Sequence, residues 1–199
     1  MTRKLTQPRY YEVTDLRKVV CTTQRAGSNS MAEALRPMFA ASAANKIEPG
    51  EVLARRRQGW PVLLWVRDPF EKFASAHGIF GRRTSLTNFI IRARRENDAH
   101  WASQTRTHTH SGIFLPTRVY PFYNLAETWA EELPGYPLNH LNTTKLLHDE
   151  LHTYRAREPW DSLKGRMSAD DLSKLEDLYH DDIALLRWCD ETGVHKVAA

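Results

Sequence analysis

Residues 24–30 combine small, hydroxyl-bearing and basic side chains in a polar segment between an apolar run and a helical pattern. The segment reads Gln24-Arg25-Ala26-Gly27-Ser28-Asn29-Ser30. A turn that joins a strand to a helix directs backbone N–H groups at one point, where they bind anions such as phosphate or sulfate. Gly27 would let a ligand approach the backbone, Arg25 would supply a permanent positive charge, and the last three residues would add side-chain donors.

This segment lacks the Gly-Lys-Ser/Thr sequence of nucleoside triphosphatases. Neither their phosphate-binding lysine nor their magnesium-binding hydroxyl is present, which disfavours an ATPase or a kinase. A strand followed by a polar turn is also an ordinary connection, so the segment alone does not define a site.

A second polar segment follows the apolar run at residues 62–66 and reads Arg67-Asp68-Pro69-Phe70-Glu71-Lys72-Phe73-Ala74-Ser75. The continuous apolar run predicts a strand that is covered on both faces of a parallel sheet. Asp68 is a suitable helix cap, and Pro69 suits the first helical position. Arg67 would then end a strand and Ser75 would lie two turns into the helix, where both can face one anion.

The strand-turn-helix pattern recurs along the chain. The other predicted elements are a strand at residues 18–22, a helix resuming at residues 31–35, a helix from Thr84 or Ser85 to about residue 95, strands at residues 117–122 and 136–141, and a helix at residues 125–133. The last helix is the clearest, since Ser168-Ala169-Asp170-Asp171 resembles a capping box and an apolar stripe follows it up to Gly193.

This alternation predicts an α/β fold of three layers, α/β/α, with a central, mainly parallel sheet and a P-loop-like strand-loop-helix. Ligands of such folds bind beyond the carboxyl ends of the strands, where both polar segments would lie.

Length and composition limit the remaining possibilities. The 199 residues predict one domain over residues 1–199, and 41% hydrophobic with 26% charged residues is an ordinary globular composition. The apolar runs are far shorter than the roughly 18 residues that cross a bilayer, and no apolar stretch follows the basic N-terminus. We therefore expect a cytoplasmic protein without a membrane segment. Cys21 and Cys189 are too few for a disulfide framework and predict buried thiols.

Charge is distributed unevenly. Residues 1–125 carry 20 Lys and Arg against 9 Asp and Glu, a net charge of +11, whereas residues 126–199 carry 8 against 15, a net charge of −7. The first part is suited to anionic ligands, among which net charge alone does not choose.

The two polar segments together resemble the loops of the sulfotransferases that use 3′-phosphoadenosine-5′-phosphosulfate (PAPS). The resemblance implies that residues 24–30 bind the 5′-phosphosulfate, and that Arg67 and Ser75 bind the 3′-phosphate. Arg25 stands where many animal members have lysine, so we expect it to stabilise charge rather than to donate a proton.

Three further segments, in family order, are similar to the carbohydrate sulfotransferase branch and its bacterial and phage relatives. These are His100-Trp101-Ala102-Ser103-Gln104, Leu141-Asn142-Thr143-Thr144, and the stretch from Leu175 through Tyr179 to Asp182. The resemblance implies transfer of a sulfuryl group to a hydroxyl or amine of a carbohydrate or glycoconjugate in a bacterial or viral cytoplasm. The acceptor would be selected by variable segments such as residues 79–118.

An acceptor hydroxyl needs a base, for which histidine is the usual choice. His100 is the first candidate because of its His-Trp context, with His77 in reserve. His108 and His110 could face one side of a strand as a metal pair, but a third ligand is not evident and the transfer needs no metal.

Arginine clusters at residues 55–57, 82–83 and 92–95 exceed what one nucleotide requires. They are either solvated surfaces or contacts for an anionic acceptor, and Trp60, Trp101, Trp129 and Trp160 are either core or a sugar-stacking platform. Two alternatives stay open: a basic nucleic-acid-binding module, and a homologue that binds the nucleotide but is inactive, which Asn29 in place of the usual Thr would permit.

Overall fold

The computed structural model describes residues 6–40, 44–81, 84–138 and 159–192, and its centre is a five-stranded mixed sheet. In spatial order the strands are β3 (Ala44–Ile47), β1 (Arg9–Val13), β2 (Lys18–Thr22), β4 (Val62–Val66) and β7 (Arg118–Pro121). A separate hairpin pairs β5 (Thr109–His110) with β6 (Ile113–Phe114).

Strand direction corrects one expectation about the sheet. β4 pairs parallel with both β2 and β7, whereas β1 pairs antiparallel with β2 and with β3. The three strands β2, β4 and β7 are therefore parallel, as expected of a mainly parallel sheet. β1 is the exception, because it runs antiparallel to both of its neighbours. The reason is the short connection between β1 and β2, where Arg17 N–H donates to the Thr14 carbonyl oxygen at 3.2 Å. Strands joined so closely can pair only in antiparallel fashion.

Helices connect and cover these strands. They are α1 (Ser28–Ala40), α2 (Pro49–Arg57), α3 (Pro69–Ala76), α4 (Leu86–Arg95), α5 (Gln104–Thr107), α6 (Leu125–Glu132), α7 (Trp160–Lys164) and α8 (Ala169–Thr192). A π-helical turn, His77–Gly81, follows α3. Within the described part of the chain, none of the helices combines the length and the apolar character needed to cross a membrane.

The predictions of the buried strands and of the helix caps are confirmed. β2 and β4 have the predicted bounds, and all five residues of β4 are buried. The Asp68 carboxylate accepts hydrogen bonds from the N–H groups of Phe70 and Glu71 at 2.9 Å, as a cap of α3 should. Ser85 likewise caps α4 by accepting from Asn88 N–H at 3.2 Å.

Two local predictions need correction. Residues 136–138 form no strand, because the Tyr136 N–H closes a turn onto the Leu133 carbonyl oxygen at 3.1 Å; residues 139–141 lie outside the described part. The capping box of α8 forms on one side only. Ser168 Oγ accepts from Asp171 N–H at 3.0 Å, but the Asp171 carboxylate accepts from Thr87 Oγ1 instead and so links α8 to α4.

The core lies on both faces of the sheet, because alternate residues of a strand point to opposite sides. Val20, Leu63 and Trp65 pack with α1 and α6, whereas Val19, Cys21 and Leu64 pack with α2 and α8. A third cluster of Phe73, Phe89, Tyr179 and their neighbours joins α3, α4 and α8. Both cysteines are free and buried, as predicted.

Glu132 organises the amino-terminal edge of the sheet, opposite the polar loops. Its carboxylate accepts from Lys18 Nζ at 2.8 Å, from Arg118 Nη1 at 2.7 Å and from the Tyr120 hydroxyl. Lys18 begins β2 and Arg118 begins β7, so one buried carboxylate fixes two strands. Burial raises the pKa of Glu132, but these hydrogen bonds lower it more, and the carboxyl stays ionised at neutral pH.

Replacing this carboxylate should destabilise the protein. We expect Glu132→Gln to lower the free energy of unfolding by about 3 kcal/mol, because two half-buried cations lose their counter-charge. Urea unfolding at neutral pH measures the difference, and Glu131→Gln, an exposed neighbour, should change it by less than about 0.5 kcal/mol. Equal effects of the two variants would contradict this role of Glu132.

Candidate functional site

The first polar segment forms a tight turn between β2 and α1. Ala26 N–H donates to the Thr23 carbonyl oxygen at 3.1 Å, and Arg25 (φ 66°) and Gly27 (φ 73°) are both left-handed. A Cβ atom at position 27 would come within 2.8 Å of Phe122 Cε2. Gly27 is therefore needed both for the backbone conformation and for the close approach of Phe122.

α1 begins at Ser28, so Ser28, Asn29 and Ser30 form its first turn rather than a loop. Ser28 Oγ donates to Gln24 Oε1 at 3.2 Å, and both of these side chains are buried. Ala26 is buried, whereas Asn29 is exposed and Ser30 is half-buried. Asn29 and Ser30 are thus accessible donors beside the first N–H groups of the helix, which have no partners within it.

Arg67 brings the second polar segment to the first. Its Nη1 donates to the Arg25 carbonyl oxygen at 2.9 Å, while Nε and Nη2 contact Glu71 Oε2 at 3.2 and 3.1 Å. Because β2 and β4 are parallel neighbours, both segments follow the carboxyl ends of their strands at one edge of the sheet, as predicted. Arg67 and Arg25, predicted for different ends of one ligand, are therefore in contact.

Ser75 and Arg67 line a common cavity of about 400 Å³ between α3 and α7. The Ser75 hydroxyl oxygen is buried and has no hydrogen-bond partner among the residues that the structure describes. Trp160 also lines this cavity and stacks on Phe70, with ring centroids 4.9 Å apart. The cavity thus combines a guanidinium, an unsatisfied hydroxyl and an aromatic side chain, and a bound oxyanion would satisfy the hydroxyl.

A second cavity, of about 390 Å³, lies beyond the carboxyl ends of β4 and β7. Its lining includes the apolar side chains of Phe122, Ile183 and Leu186, and it shares Arg67 and Glu71 with the first cavity. The Arg67–Glu71 ion pair therefore borders both spaces. Glu71 is more than half exposed, and such pairs contribute little stability, so an incoming anion can compete with this carboxylate for Arg67.

His100 is oriented by a buried carboxylate. Its Nδ1 lies 2.7 Å from Asp98 Oδ1, which also accepts the His100 backbone N–H at 3.0 Å. The carboxylate is an acceptor, so Nδ1 carries the proton and Nε2 presents a lone pair. No hydrogen bond to Nε2 is found within the described ranges.

The electrostatic surroundings of His100 favour its neutral form. Burial lowers the pKa of His100, Asp98 opposes the shift, and the positive charges of Arg25 and Lys72 add to it. Burial raises the pKa of Asp98, but hydrogen bonds from His100 and Thr6 lower it more, so this carboxyl stays ionised. At neutral pH, His100 is an uncharged base held in one orientation.

The segments that carry the family resemblance also contact one another. The Tyr179 hydroxyl donates to the Trp101 carbonyl oxygen at 2.5 Å, and the Asp182 carboxylate accepts from Gln104 N–H at 2.7 Å. Gln104 in turn hydrogen-bonds the backbone of Arg67. The segment at residues 141–144 lies outside the described part of the chain.

Lys72 is a fully buried charge beneath the site. Its Nζ donates to the Ala102 carbonyl oxygen at 2.7 Å. Burial lowers the pKa of Lys72 to about 8, while the charges of Asp182 and Asp98 act in the opposite direction. Lys72, which lies in the second polar segment, therefore supports the chain next to His100.

His77 and His108 have structural surroundings. The His77 ring packs between Phe73 and Phe89 and against Gly81, where a Cβ atom would come within 2.2 Å of the ring. His108 precedes β5 instead of sharing a strand face with His110. It is fully buried, and its Nε2 lies 2.7 Å from Thr23 Oγ1.

The arginine clusters and tryptophans divide into internal and accessible groups. Arg55 pairs with Glu12, Arg56 donates to the Phe114 carbonyl oxygen, and Arg92 pairs with Glu96. Arg57, Arg94 and Arg95 are exposed, and residues 82–83 lie outside the described part. Trp101 and Trp129 belong to the core, whereas Trp60 and Trp160 are half-buried.

Sequence reasoning missed Asp98 as part of the site, considered His108 only as half of a metal pair, and named Gln104 and Asp182 only within motifs. The Asp-x-His spacing of Asp98 and His100 was a usable local signal. Asp182 meets Gln104 across 78 positions of the chain, and no local pattern reveals such a contact.

Comparison of the chain with protein-family models, with curated proteins and with solved structures found no significant match.

Because His108 is buried, we expect the free energy of unfolding to decrease in acid. Burial and the charge of Lys72 lower the pKa of His108 from 6.5 to about 3. The unfolded chain binds a proton as the pH falls below 6.5 and the folded chain does not, so stability decreases across this range. We expect a contribution of about 3 kcal/mol between pH 6.5 and about pH 4.

Urea unfolding across this pH range measures the effect. His108→Gln keeps polar atoms at the position but does not titrate, so its stability should fall about 3 kcal/mol less than that of the wild type. Parallel curves for the two proteins would show that His108 does not have this pKa.

Proposed function

We propose that this protein is a sulfotransferase that moves a sulfuryl group from PAPS to a hydroxyl or amine of an acceptor, a carbohydrate or glycoconjugate. The observation that carries the proposal is the 2.9 Å hydrogen bond from Arg67 Nη1 to the Arg25 carbonyl oxygen, which joins two anion-binding segments at one edge of the sheet. A nucleotide with an anion on both its 5′ and 3′ sides requires two such segments at a fixed separation.

The donor nucleotide would use the two segments for different groups. Arg25 and Gly27, with the N–H groups and side chains of the first turn of α1, bind the 5′-phosphosulfate. Gln24 and Ala26 shape the turn from within, since both are buried. Arg67 and Ser75 bind the 3′-phosphate, and that phosphate supplies the acceptor that the Ser75 hydroxyl lacks among the described residues.

The finer features of the fold belong to the same proposal. α1 and α6 pack against one face of the sheet, and α2 and α8 against the other, which supports a three-layer α/β/α arrangement. The succession of β2, a glycine-containing turn and α1 supports a P-loop-like anion site.

Sulfuryl transfer needs alignment of the reacting atoms and stabilisation of charge on the transferred and leaving oxygens. The bond between sulfur and the bridging oxygen of the 5′-phosphate breaks, and a bond from sulfur to the acceptor oxygen or nitrogen forms. Arg25 and the turn amides stabilise the negative charge on the leaving phosphate. Arg25 keeps its own proton throughout, because a guanidinium does not act as an acid in this pH range.

His100 would take the proton that the acceptor releases. Its Nε2 has no hydrogen-bond partner among the described residues and can accept this proton, and Asp98 holds the ring through Nδ1 at 2.7 Å and stabilises the cation that forms. His77, the second candidate, is enclosed by two phenylalanine rings and Gly81. These contacts favour His100 as the catalytic base.

An anionic acceptor is supported by the position of α4. The Arg92 guanidinium lies 4.6 Å from the centre of the Trp101 ring, so the basic last turn of α4 is beside the segment that carries His100. Arg94 and Arg95 belong to the same turn and are exposed. They offer positive charge to an acidic sugar without contributing to the nucleotide site.

The nucleic-acid-binding alternative is less well supported. Arg55, Arg56 and Arg92 are engaged in contacts within the protein, which reduces the free positive charge of the arginine clusters that suggested it. An inactive homologue would share the nucleotide site, so activity rather than binding distinguishes it from the enzyme.

The nucleotide site is tested by calorimetric titration. We expect the wild type to bind adenosine 3′,5′-bisphosphate more tightly than AMP or ATP, and Arg67→Ala to weaken the bisphosphate about 30-fold, or about 2 kcal/mol. Ser75→Ala should weaken it about fivefold without lowering the free energy of unfolding, because the deleted hydroxyl has no described partner.

Arg57→Ala is the matched control, since this arginine is exposed on α2 and should leave the affinity unchanged. No preference for the bisphosphate would refute the site, and steeply salt-dependent binding of DNA or RNA would then favour the alternative. Binding without transfer of labelled sulfate from PAPS to any acceptor of a glycan panel would identify the inactive homologue.

The role of His100 predicts a particular pH profile. kcat/KM should rise with pH and level off, with a midpoint below 6.5 because the pKa of His100 is lowered. Asp98→Asn removes the charge that raises this pKa, so the midpoint should move to lower pH, while the plateau falls about tenfold because a neutral amide stabilises the His100 cation less well than a carboxylate does.

His100→Ala should lower the plateau about 100-fold and abolish the acid limb of the profile. An unchanged profile in this variant, together with a lost acid limb in His77→Ala, would assign the base to His77. Both variants are compared under saturating donor nucleotide, so that binding effects are separated from proton transfer.

A further inference from the structure

The side chains at the two ends of the short helix α5 contact the chain at both anion-binding segments. Gln104 and His108 are four positions apart at the start and just past the end of this helical turn, a spacing that puts two side chains on one face. Gln104 reaches the end of β4, and His108 reaches the end of β2. One rigid turn therefore meets both strands at the point where each passes into its loop.

Both polar atoms of the Gln104 side-chain amide form hydrogen bonds with the backbone of Arg67. Its Oε1 accepts from Arg67 N–H at 3.1 Å, and its Nε2 donates to the Arg67 carbonyl oxygen at 2.7 Å. The Gln104 side chain is fully buried, so these bonds do not compete with water. The Cα of Arg67, and with it the origin of its guanidinium, is fixed relative to α5.

His108 contacts the first segment through the side chain of Thr23, the residue just before it. Its Nε2 lies 2.7 Å from Thr23 Oγ1, and its Nδ1 lies 3.3 Å from the Tyr10 hydroxyl. Thr23 is the residue whose carbonyl oxygen closes the turn with Ala26. The ring is fully buried, and its lowered pKa keeps it neutral at physiological pH, so this contact is constant there.

α5 is itself anchored by Asp182. The carboxylate, fully buried on α8, accepts from Ser103 Oγ at 2.8 Å and from the N–H groups of Gln104 and Thr105 at 2.7 and 2.8 Å. The start of α5 is thereby tied to the long C-terminal helix. Movement of α5 relative to the sheet would break several buried hydrogen bonds at once.

We propose that α5 sets the distance between the two anion-binding segments, with Gln104 and His108 as positioning residues that act through Arg67 and Thr23. This inference rests on the proposed function, since it concerns the spacing of the same two anions. It predicts that the protein binds ligands whose two phosphate or sulfate groups have the matching separation more tightly than ligands that carry only one such group.

The experiment compares three probes by calorimetry: adenosine 3′,5′-bisphosphate, adenosine 5′-monophosphate and adenosine 3′-monophosphate. Gln104→Met removes both bonds to Arg67 with little change of volume, and Thr23→Val removes the hydroxyl that contacts His108 Nε2. In each variant, the advantage of the bisphosphate over the two monophosphates should fall about 10- to 100-fold. Affinity for each monophosphate should change less than about threefold, because each anion still has its own loop.

Tyr136→Phe is the control, because it removes a partly buried hydrogen bond to Asp15 that touches neither segment. It should leave the bisphosphate advantage unchanged, as should any substitution that only lowers stability. Near-UV circular dichroism establishes that each variant is folded, and if Gln104→Met is not, Thr23→Val decides.

Three results would overturn the inference. An unchanged bisphosphate advantage in the variants would show that α5 does not set the spacing. Equal weakening of all three probes would show damage to the loops themselves. If the wild type has no bisphosphate advantage, the proposed function fails and this inference with it, whereas either of the first two results leaves the proposed function intact.

Discussion

The buried carboxylate of Asp182 is the interaction on which the candidate site depends. An ionised group without exposure to water is strongly unfavourable unless hydrogen bonds replace its hydration, and Asp182 receives them from the backbone and hydroxyl groups of residues 103–105. These hydrogen bonds hold the start of α5 against α8. Because α5 is held in this way, its contacts with the ends of β2 and β4 are held in place as well.

Charge compensation within the protein extends this constraint to His100. Lys72 is buried within electrostatic reach of both Asp182 and Asp98, so two buried carboxylates share one buried ammonium. Lys72 donates a hydrogen bond to the carbonyl oxygen of Ala102. Asp98 accepts one from His100, which precedes Ala102 by two positions. The segment from residue 98 to residue 105 is therefore fixed along its length by ionic groups that cannot be removed singly without leaving an uncompensated charge. Such rigidity suits a site in which groups must be aligned rather than chemically changed.

Much of the parallel centre and its helices could be predicted from local patterns. The apolar runs of β2 and β4, the caps at Asp68 and Ser85, and the stripe of the last helix all depend on interactions within a few residues. β1 and β3 escaped prediction. β1 carries Tyr10 and Tyr11 on opposite faces together with a buried glutamate, so its pattern resembles neither an alternating strand nor a continuous apolar one. Its antiparallel pairing follows from the short turn to β2.

The sequence by itself determined the two polar segments, their places after buried strands and the histidine beside the tryptophan, because residue type, turn chemistry and periodicity are local properties. Only the tertiary structure decided that Arg67 reaches the Arg25 backbone and that Gln104 and His108 meet the two loops from one helical turn. These contacts join residues up to 85 positions apart, as Thr23 and His108 are. They exist because buried polar groups must find partners wherever the folded chain provides them, which a local pattern does not encode.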